Sequence, residues 1–377
     1  MARKIQLTLL GCGGVGRQLL RHIVSTRKLH EDQGLRVAVM AVVDSKSIVL
    51  GEKNEELDDT ALLQISLAKE KNNQMPAGLN ARAVRKEYFD ATLAAAIRTI
   101  TEETGRPLVV ADCTASEKIG QALAEIADLN CCIVLANKKP LTSSFNVYDR
   151  IAALNRRYRC ESTVKQEVGA ALPVIATLNR LLNSGDSIRK IVGALSGTLG
   201  FVMSRLEYGE SFSDIVRQAK ELGYTEPDPR DDLGGMDVAR KALIMARLMG
   251  WRINLEDVEV ECLYPPSLAP KLMSTMQFLK GLPELDLPMR NRVKEAAARG
   301  CVLRYVATIE NFHCKVGIVE QPQQSALGQL HGSDNLVEIF TRCYSTSPLV
   351  IKGAGAGNDT TAAGVLADVL DLQDYFG

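Results

Sequence analysis

The residues best suited to chemistry lie within residues 223–241, GYTEPDPRDDLGGMDVARK. The charged side chains crowded into this stretch are Glu226, Asp228, Arg230, Asp231, Asp232, Asp237, Arg240 and Lys241. Pro227 and Pro229 exclude a regular helix from its first half, because proline fixes φ and lacks a backbone donor. The pair Gly234 and Gly235 then permits a sharp bend. A stiff acidic loop of this kind could hold the ammonium group of an amino acid between carboxylates.

A helix is predicted to follow the bend, with Asp237 and Lys241 on one face. Apolar residues recur at helical spacing from about Met236, and Gly250 is placed to end the helix. Residues four apart are neighbours on a helix, so a carboxylate and an amine would stand side by side. The lysine could then move a proton while carboxylates hold the substrate. The alternative is a solvated acidic loop with an ordinary ion pair, although such a loop does not need this stiffness.

The composition is that of a globular protein and argues against two classes of partner. The chain has 377 residues, which predicts two or three domains, and it is 46% hydrophobic and 24% charged. Lysine plus arginine and aspartate plus glutamate both number 45, so the chain has no electrostatic footprint for nucleic acid or an acidic membrane. No apolar run approaches the roughly 20 residues that a membrane span needs.

Cysteine usage and the first residues indicate a reducing compartment. The nine cysteines are scattered without paired spacing, which fits reduced thiols better than disulfides. The first residues, MARKIQLTLLGCGG, run into a predicted strand without a signal sequence. We therefore expect a cytoplasmic protein and leave open an organellar address removed from the chain. The four histidines lie outside any motif, so the chemistry is not expected to rest on histidine.

A dinucleotide-binding motif is predicted near the N-terminus. Its glycine-rich loop consists of Gly11, Cys12, Gly13, Gly14, Val15 and Gly16. An apolar strand over residues 4–10 precedes this loop, and apolar residues at helical spacing follow it. In that context Gly11 makes the turn, Gly13 admits a pyrophosphate and Gly16 lets the helix pack on the sheet. The alternative is a glycine turn in another kind of α/β unit.

The second predicted strand, residues 35–43, ends in Asp44. An acid at this position accepts hydrogen bonds from the ribose hydroxyls of the adenosine, which argues for NAD. Lys46, two residues later, could instead neutralise a 2′-phosphate. The choice between NAD and NADP therefore stays open.

Polar residues follow other strands of the predicted parallel sheet. Thr114 follows the buried strand 108–112, and Lys138 follows the strand 131–136. Ligands bind at the carboxyl ends of strands in open α/β sheets, so Lys138 could reach the nicotinamide or the reacting oxygen. The alternative for Lys138 is an ordinary surface lysine. A second glycine-rich junction late in the chain contains Gly357 and suggests a return to the cofactor domain.

These elements predict an α/β fold, with a Rossmann-type parallel sheet domain and a second, α+β domain. Strands in the second domain alternate along the chain and are expected to form a mainly antiparallel sheet. The predicted boundaries are residues 1–155 for the first domain, 156–348 for the second, and 349–377 for a C-terminal segment that returns to the first.

These segments together resemble homoserine dehydrogenase over nearly the whole chain. The motifs that carry the resemblance are GCGGVG, DCTAS, ANKKP, ESTV with VGAALP, SGT, GYTEPDPRDDLGGMDVARK and GAGAGNDTTAAG. The resemblance implies a homodimeric NAD(P)-dependent oxidoreductase that interconverts L-homoserine and L-aspartate 4-semialdehyde in threonine, methionine and isoleucine biosynthesis. It also implies that the α+β domain is the catalytic and dimerisation domain. Neither a fused aspartate kinase nor a regulatory module is visible, which implies a monofunctional form.

The resemblance also implies roles for individual residues. Lys241 matches the catalytic lysine, and Lys138 matches a second lysine near the nicotinamide, with Lys139 beside it as the alternative. Carboxylates that match substrate ligands are Glu226, Asp232 and Asp237. Cofactor contacts are matched by Thr114, Gly357 and the glycine-rich loop. Residues that match a sodium or potassium site built largely from backbone carbonyls are Glu161, Val168, Ala170 and Leu172.

The expected mechanism is hydride transfer coupled to proton transfer. Lys241 would take the homoserine hydroxyl proton while hydride passes to the nicotinamide, and would return the proton in the reductive direction. Such a lysine must be partly desolvated or near another cation, for which Lys138 is a candidate. Another small amino or hydroxy acid is the alternative substrate class.

One departure from the family pattern lies in the expected cation-binding turn. Residues 165–168, KQEV, look inserted between Val164 and Gly169, and Ala171 replaces a usual glycine. Alanine costs more than glycine wherever φ must be positive. The alternative function is therefore a catalytically impaired NAD(P)-binding relative with a regulatory or scaffold role.

Overall fold

The computed structural model divides the chain into two compact units, Met1–Gln166 with Gly357–Gly377, and Glu167–Ala356. The structure describes residues 2–51, 55–72, 74–76, 82–85, 94–95, 97–98, 107–129, 131–154, 158–159, 172–354 and 357–376. The sequence also predicts a helix over residues 91–104 and a strand over residues 160–164, and these segments lie largely or wholly outside the described residues.

The first unit alternates strands and helices along most of its length. Its strands are β1 (Arg3–Leu10), β2 (Leu35–Val43), β3 (Ser47–Leu50), β4 (Arg82–Arg85), β5 (Leu108–Asp112), β6 (Cys131–Leu135) and β7 (Tyr158–Arg159). Its helices before the second unit are α1 (Gly14–Ser25), α2 (Arg27–Asp32), α3 (Asp59–Asn72), α4 (Ile119–Ile126) and α5 (Phe145–Ala152), with a 3-10 turn at Pro140–Thr142.

The sheet of the first unit has the order β4-β3-β2-β1-β5-β6-β7. Strands β2, β1, β5, β6 and β7 run parallel to their neighbours, whereas β3 and β4 form an antiparallel edge. Because the central strands are buried on both faces, they consist almost entirely of apolar residues. The predicted Rossmann-type sheet is confirmed, and the carboxyl ends of β1, β5 and β6 meet at one edge.

The second unit combines helices with a six-stranded sheet of order β13-β12-β8-β10-β11-β9. Its strands are β8 (Ile188–Ala194), β9 (Glu259–Val260), β10 (Cys301–Glu310), β11 (His313–Pro322), β12 (Asp334–Thr341) and β13 (Leu349–Ala354). Its helices are α6 (Val174–Asn183), α7 (Gly197–Glu207), α8 (Phe212–Glu221), α9 (Arg230–Leu233), α10 (Met236–Leu248), α11 (Thr275–Gly281) and α12 (Asp286–Ala298). All its strand pairs are antiparallel except β9 with β11, as predicted for this domain.

The two faces of this second sheet carry different layers. One face packs Val192, Ala194, Val306 and Leu336 into an apolar cluster with Leu327 and Leu330. The opposite face includes Gly193, Ala307 and Val337, which share one register across β8, β10 and β12. Tyr305 also belongs to this opposite face, since side chains alternate along β10. A Cβ built on Gly235 would lie 2.0 Å from the Tyr305 hydroxyl, so α10 begins above this opposite face.

Two segments differ from the sequence-based expectation. The predicted return to the first domain at residue 349 begins instead at Gly357, because β13 pairs with β12 across the second sheet. The acidic loop also contains a short helix, α9, which starts directly after Pro229. A helix tolerates proline at its first residues, where the backbone N–H would have no partner within the helix.

The chain ends with helix α13 (Asn358–Leu370) and a 3-10 turn at Gln373–Tyr375 in the first unit. Val365, Leu366 and Val369 of α13 join the apolar core that also contains residues of β1. Among the described residues, no helix has both the length and the apolar character needed to cross a membrane.

Candidate functional site

The glycine-rich loop is closely packed except at one residue, which faces open space. Gly11 has a φ of +87°, and a Cβ there would lie 2.8 Å from the backbone of Cys113. A Cβ on Gly16 would lie 2.0 Å from the Gly11 carbonyl oxygen, so α1 packs directly on the loop. A Cβ on Gly13 would meet nothing within 4 Å. The open position at Gly13, at the N-terminus of a twelve-residue helix, fits a dinucleotide pyrophosphate.

The remaining residues of this loop are buried or packed against neighbouring residues of the first unit. Cys12 is buried at 2% exposure, and burial raises the pKa of its thiol to about 12, so it stays protonated. Val15 is partly buried and packs against the core of the first unit. A Cβ on Gly14 would lie 2.5 Å from Asn358 Nδ2, the first residue of α13. The start of α13 therefore packs against the glycine-rich loop at the start of α1.

Asp44 lies at the end of β2, where the ribose of a dinucleotide is expected, but its carboxylate is already engaged. Oδ1 accepts hydrogen bonds from the N–H groups of Lys46 and Ser47, both at 2.7 Å. Oδ2 accepts from Lys69 Nζ of α3 at 3.0 Å. Burial favours the protonated carboxyl, but these hydrogen bonds outweigh it and hold the pKa of Asp44 below its usual value. Lys69 brings a positive charge to this strand end that the sequence pattern did not reveal.

A buried polar network joins the two loops that follow β5 and β6. Asp112 is fully buried, and its carboxylate accepts from Thr114 N–H at 2.9 Å and from Asn137 Nδ2 at 3.1 Å. Burial raises the pKa of Asp112 to about 7, although both hydrogen bonds oppose the shift. Asn137 Nδ2 also donates to the Ser116 carbonyl at 2.9 Å. The network fixes Thr114, a predicted cofactor contact.

Lys138 and Lys139 have different surroundings. Lys139 Nζ donates to the Ala115 carbonyl at 2.9 Å and lies 3.5 Å from Glu117 Oε1, so it ties down the neighbouring loop. Lys138 is partly buried, and its carbonyl begins the 3-10 turn by accepting from Leu141 N–H at 3.0 Å. The ammonium of Lys139 is thus held by the loop after β5, and the match of Lys138 to the family's second lysine stays a prediction.

Gly357 is the N-cap residue of α13 and has a φ of +143°. Its carbonyl accepts from the Thr360 hydroxyl at 3.0 Å and from the Thr361 hydroxyl at 2.8 Å. Glycine is required here because other residues rarely adopt this backbone conformation. The residue therefore sets the start of a helix at the same end of the first unit as Gly14.

In the second unit, one acidic residue of the 223–241 stretch serves structure. Asp228 binds the Arg230 guanidinium in a bidentate pair, with Nε at 2.9 Å from Oδ1 and Nη2 at 2.6 Å from Oδ2. The Thr275 hydroxyl donates to the same carboxylate at 2.9 Å. The arginine hydrogen bonds come first in lowering the pKa of Asp228 to about 2. This pair stiffens the loop, and the Asp228 carboxylate is occupied by it.

Asp232 links the backbone of the acidic loop to the start of α7. Its Oδ2 accepts from the backbone N–H of Glu226 at 2.8 Å, and the Thr198 hydroxyl lies 3.1 Å from Oδ1. Burial raises the pKa of Asp232 to about 6, and the charges of Glu226 and Asp237 add to the shift. Glu226 itself is exposed, whereas Asp232 is half-buried. The two predicted substrate-binding carboxylates therefore differ in their access to solvent.

Lys241 is the most deeply buried cation of the predicted site, at 2% exposure. Its Nζ lies 2.8 Å from Asp237 Oδ2, which confirms the neighbouring arrangement predicted from their spacing. The same Nζ donates to the Leu195 carbonyl at 2.5 Å. A buried ammonium needs such partners because it has lost its hydration. An amine held between a carboxylate and a carbonyl can exchange a proton with a bound hydroxyl group.

The predicted cation site lies mostly outside the described residues. Glu161, Val168 and Ala170, together with the apparent insertion at 165–168, fall there, so these predictions stay untested. Leu172 is described, and its carbonyl accepts from Val174 N–H at 2.7 Å.

Some residues of the site escaped the sequence-based argument. Thr198 and Asn137 lie in polar turns that the sequence marks, but their partners are distant in sequence. Lys69 carries no signal at all, since its partner Asp44 is separated from it by 25 positions. Side-chain contacts between elements of this kind require the fold.

Two family models match this chain, one after the other along the sequence. Residues 173–370 match the family model described as homoserine dehydrogenase. Residues 11–165 match the model described as the homoserine dehydrogenase NAD binding domain. The catalytic-family match alone covers more than half of the chain.

Individual relatives carry the same description. A bifunctional aspartokinase/homoserine dehydrogenase of Buchnera aphidicola is 35% identical over 98% of this chain and 43% of its own length. The chain thus spans about two fifths of the bifunctional relatives it matches, here 43% and 42%. A homoserine dehydrogenase of Paracoccidioides brasiliensis is 40% identical over 73% of this chain and 76% of its own.

Solved structures share the fold along the whole chain. A Candida auris protein of unknown function has 29% identity and a TM-score of 0.85, covering 100% of this chain and 99% of that chain. A hyperthermophilic archaeal homoserine dehydrogenase in complex with NADPH has 18% identity and a TM-score of 0.73, with 99% of both chains covered. At that identity the second likeness establishes the fold alone.

Proposed function

The chain belongs to the homoserine dehydrogenase family, and we propose that it interconverts L-homoserine and L-aspartate 4-semialdehyde with NAD or NADP. The observation that carries this proposal is the buried Lys241, whose Nζ lies 2.8 Å from the Asp237 carboxylate. A buried lysine is a costly feature, and the pair offers the proton acceptor that oxidation of a hydroxyl group requires.

The cofactor supplies the hydride chemistry, and the glycine-rich loop of this chain supports its binding. The open position at Gly13 and the close packing at Gly11 and Gly16 fit a pyrophosphate held at the N-terminus of α1. Asp44 and Thr114 would contact the nucleotide, and Lys138 the nicotinamide end. The Asp44–Lys69 pair presents both signs of charge near the ribose, so both cofactors are tested.

The acidic loop would hold the substrate by its ammonium group. The backbone N–H of Glu226 donates to Asp232 Oδ2, so the Asp232 carboxylate is held in place beside Glu226 before the substrate arrives. Asp237 orients Lys241 and is itself 37% exposed, so it can share the ammonium. Lys241 takes the hydroxyl proton in the oxidative direction and donates it to the carbonyl oxygen in the reductive direction.

We also propose a homodimer in the cytoplasm. The support for the dimer is the family resemblance, and light scattering of the purified chain tests it. The support for a reducing compartment is that the described cysteines, which exclude Cys160, are free thiols.

The test is absorbance at the reduced-nicotinamide band with L-homoserine, using NAD and NADP in parallel and with or without sodium or potassium chloride. Homoserine-dependent reduction of either cofactor supports the proposal, and a specific response to one cation supports the site at Glu161, Val168, Ala170 and Leu172. Cofactor binding without turnover, measured by fluorescence titration, would instead support the catalytically impaired alternative.

A further inference from the structure

Asn335 is a fully buried amide without a hydrogen-bond partner. The residue has 0% exposure, and neither its Oδ1 nor its Nδ2 has a partner in the part of the chain that the structure describes. An unsatisfied buried amide costs free energy, and replacing it by an apolar group of similar shape is often neutral or stabilising. Such a group in a folded enzyme therefore needs an explanation, and a catalytic role is one of them.

The position of Asn335 in β12 directs its side chain to the face of the second sheet that carries α10. Its neighbour Leu336 pairs with Ala194 of β8 and belongs to the apolar cluster on the other face. Side chains alternate along a strand, so Asn335 lies on the same face as Val337 and Tyr305. This is the face above which the helix that carries Lys241 begins.

Lys241 is bound to the backbone next to this amide. Its Nζ donates to the carbonyl of Leu195, the residue directly after Ala194. The recorded pairing of β12 with β8 ends at Leu336 and Ala194, and Asn335 and Leu195 are the next residues of the two antiparallel chains. Lys241 Nζ thus occupies the Leu195 carbonyl, and the neighbouring strand carries a second nitrogen donor, Asn335 Nδ2, one residue beyond the last recorded pair.

We propose that Asn335 is a positioning residue that donates to the Leu195 carbonyl when Lys241 turns to the substrate. This inference rests on the proposed function, because it assumes that Lys241 leaves its resting position to accept the hydroxyl proton. Without a second donor, that movement would leave a buried carbonyl unsatisfied. Rotation of the Asn335 amide satisfies the carbonyl and gives the amide its own partner. The free energy that Lys241 must overcome to leave Leu195 is thereby reduced.

The first test is Asn335→Leu, which keeps the volume of the side chain but removes its donor. In the resting enzyme this change removes an unsatisfied amide, so the melting temperature is expected to stay equal or rise. Turnover is expected to fall about tenfold with little change in KM, because the lost hydrogen bond forms only when Lys241 moves.

Thr8→Val is the matched control for Asn335→Leu. Thr8 is also buried, at 1% exposure, and its hydroxyl is unpartnered, but it lies within β1. Its replacement is expected to keep or raise the melting temperature without changing turnover. If both variants leave kcat unchanged, Asn335 is only a structural residue and the proposal is overturned.

A second test measures the coupling of Asn335 to Lys241 without any assay of turnover. Lys241→Met removes the lysine donor, so Asn335 becomes the donor to the Leu195 carbonyl. Asn335→Leu is then expected to lower the melting temperature in the Lys241→Met background, in contrast to its neutral or stabilising effect in the native chain. Equal effects in the two backgrounds would overturn the proposal. Asn335→Val replaces Asn335→Leu in the cycle if the leucine variant does not fold.

The two tests separate this inference from the proposed function. If the native chain does not oxidise homoserine but the stability cycle shows the reversal of sign, the shared carbonyl stands and the proposed substrate fails. If homoserine is oxidised and the cycle shows no coupling, the proposed function stands and the role of Asn335 fails.

Discussion

Lys241 and Asp237 form an ion pair of 2.8 Å across one turn of α10, with the lysine side chain 2% exposed and the carboxylate 37% exposed. The pair thus has a buried end and an open end. We propose that the substrate approaches from the open end, where it meets the carboxylate before the amine. This order suits a molecule that carries an ammonium group and a hydroxyl group a few bonds apart.

Asp237→Asn is expected to lower kcat/KM for homoserine by about 10- to 100-fold, the equivalent of one charge-assisted hydrogen bond. The amide keeps the shape of the side chain but no longer attracts the Lys241 ammonium or a substrate ammonium. Steady-state kinetics measure the effect. Asp231→Asn is the control, because it removes the same charge from an exposed position in the same loop. Equal losses in the two variants would show that only the overall charge matters.

Asp232 is expected to make substrate binding pH-dependent near pH 6. Burial raises its pKa to about 6, so the free enzyme holds a proton there below that pH. A bound ammonium favours the ionised carboxylate, so the KM for homoserine should fall as the pH rises through about 6. Asp232→Asn should remove this dependence and raise KM at neutral pH. A KM that is independent of pH between 5 and 7 in the native enzyme would contradict the assignment.

The same group has a consequence for stability. Between its ordinary pKa of 3.8 and about 6, the folded chain keeps a proton that the unfolded chain releases. The stabilisation that the raised pKa of Asp232 gives to the folded state is therefore lost as the pH rises through this window. Below pH 3.8 the folded and unfolded states both hold the proton, so stability no longer changes with pH through this group. Thermal unfolding from pH 4 to pH 7 should show the native chain losing stability relative to Asp232→Asn. A constant difference between the two chains across this range would show that Asp232 has an ordinary pKa.

Asp112→Asn is expected to weaken NAD(P)H binding about tenfold, because one of two buried donors loses its acceptor. Thr114 N–H and Asn137 Nδ2 both donate to this carboxylate, at 2.9 Å and 3.1 Å. Fluorescence titration with NADH and NADPH measures the effect. Asp128→Asn is the control, since Asp128 is an exposed partner of Arg150 in the same unit. Unchanged affinity in Asp112→Asn would remove Thr114 from the cofactor site.

Gly13→Ala is expected to weaken cofactor binding without changing the stability of the free enzyme. The added methyl group meets no atom within 4 Å, so the fold has room for it. If that space holds the pyrophosphate, the methyl group displaces it, and affinity should fall by at least about tenfold. Calorimetric unfolding and fluorescence titration separate the two effects. Native affinity for both cofactors would show that the pyrophosphate lies elsewhere.

The sequence predicts those parts of the site that depend on local pattern. The glycine-rich loop and the Asp237–Lys241 pair follow from spacing alone, because one helical turn brings residues four apart together. The fold class follows from alternating strands and helices in the first unit. The Asp44–Lys69 pair and the contact of Lys241 with Leu195 could not be predicted, because each joins elements far apart in the chain. Asn335 is likewise an ordinary strand residue until the sheet pairing fixes its face.

The most direct measurement compares the native chain with Lys241→Met in the homoserine-dependent reduction of NAD and NADP. The proposed mechanism predicts turnover by the native chain and a loss of about 100- to 10,000-fold in the variant, the usual contribution of a proton-transferring side chain. It also predicts that the variant still binds the reduced cofactor, since Lys241 belongs to the second unit and the glycine-rich loop to the first. Turnover at the native rate in Lys241→Met would contradict the central role of this lysine.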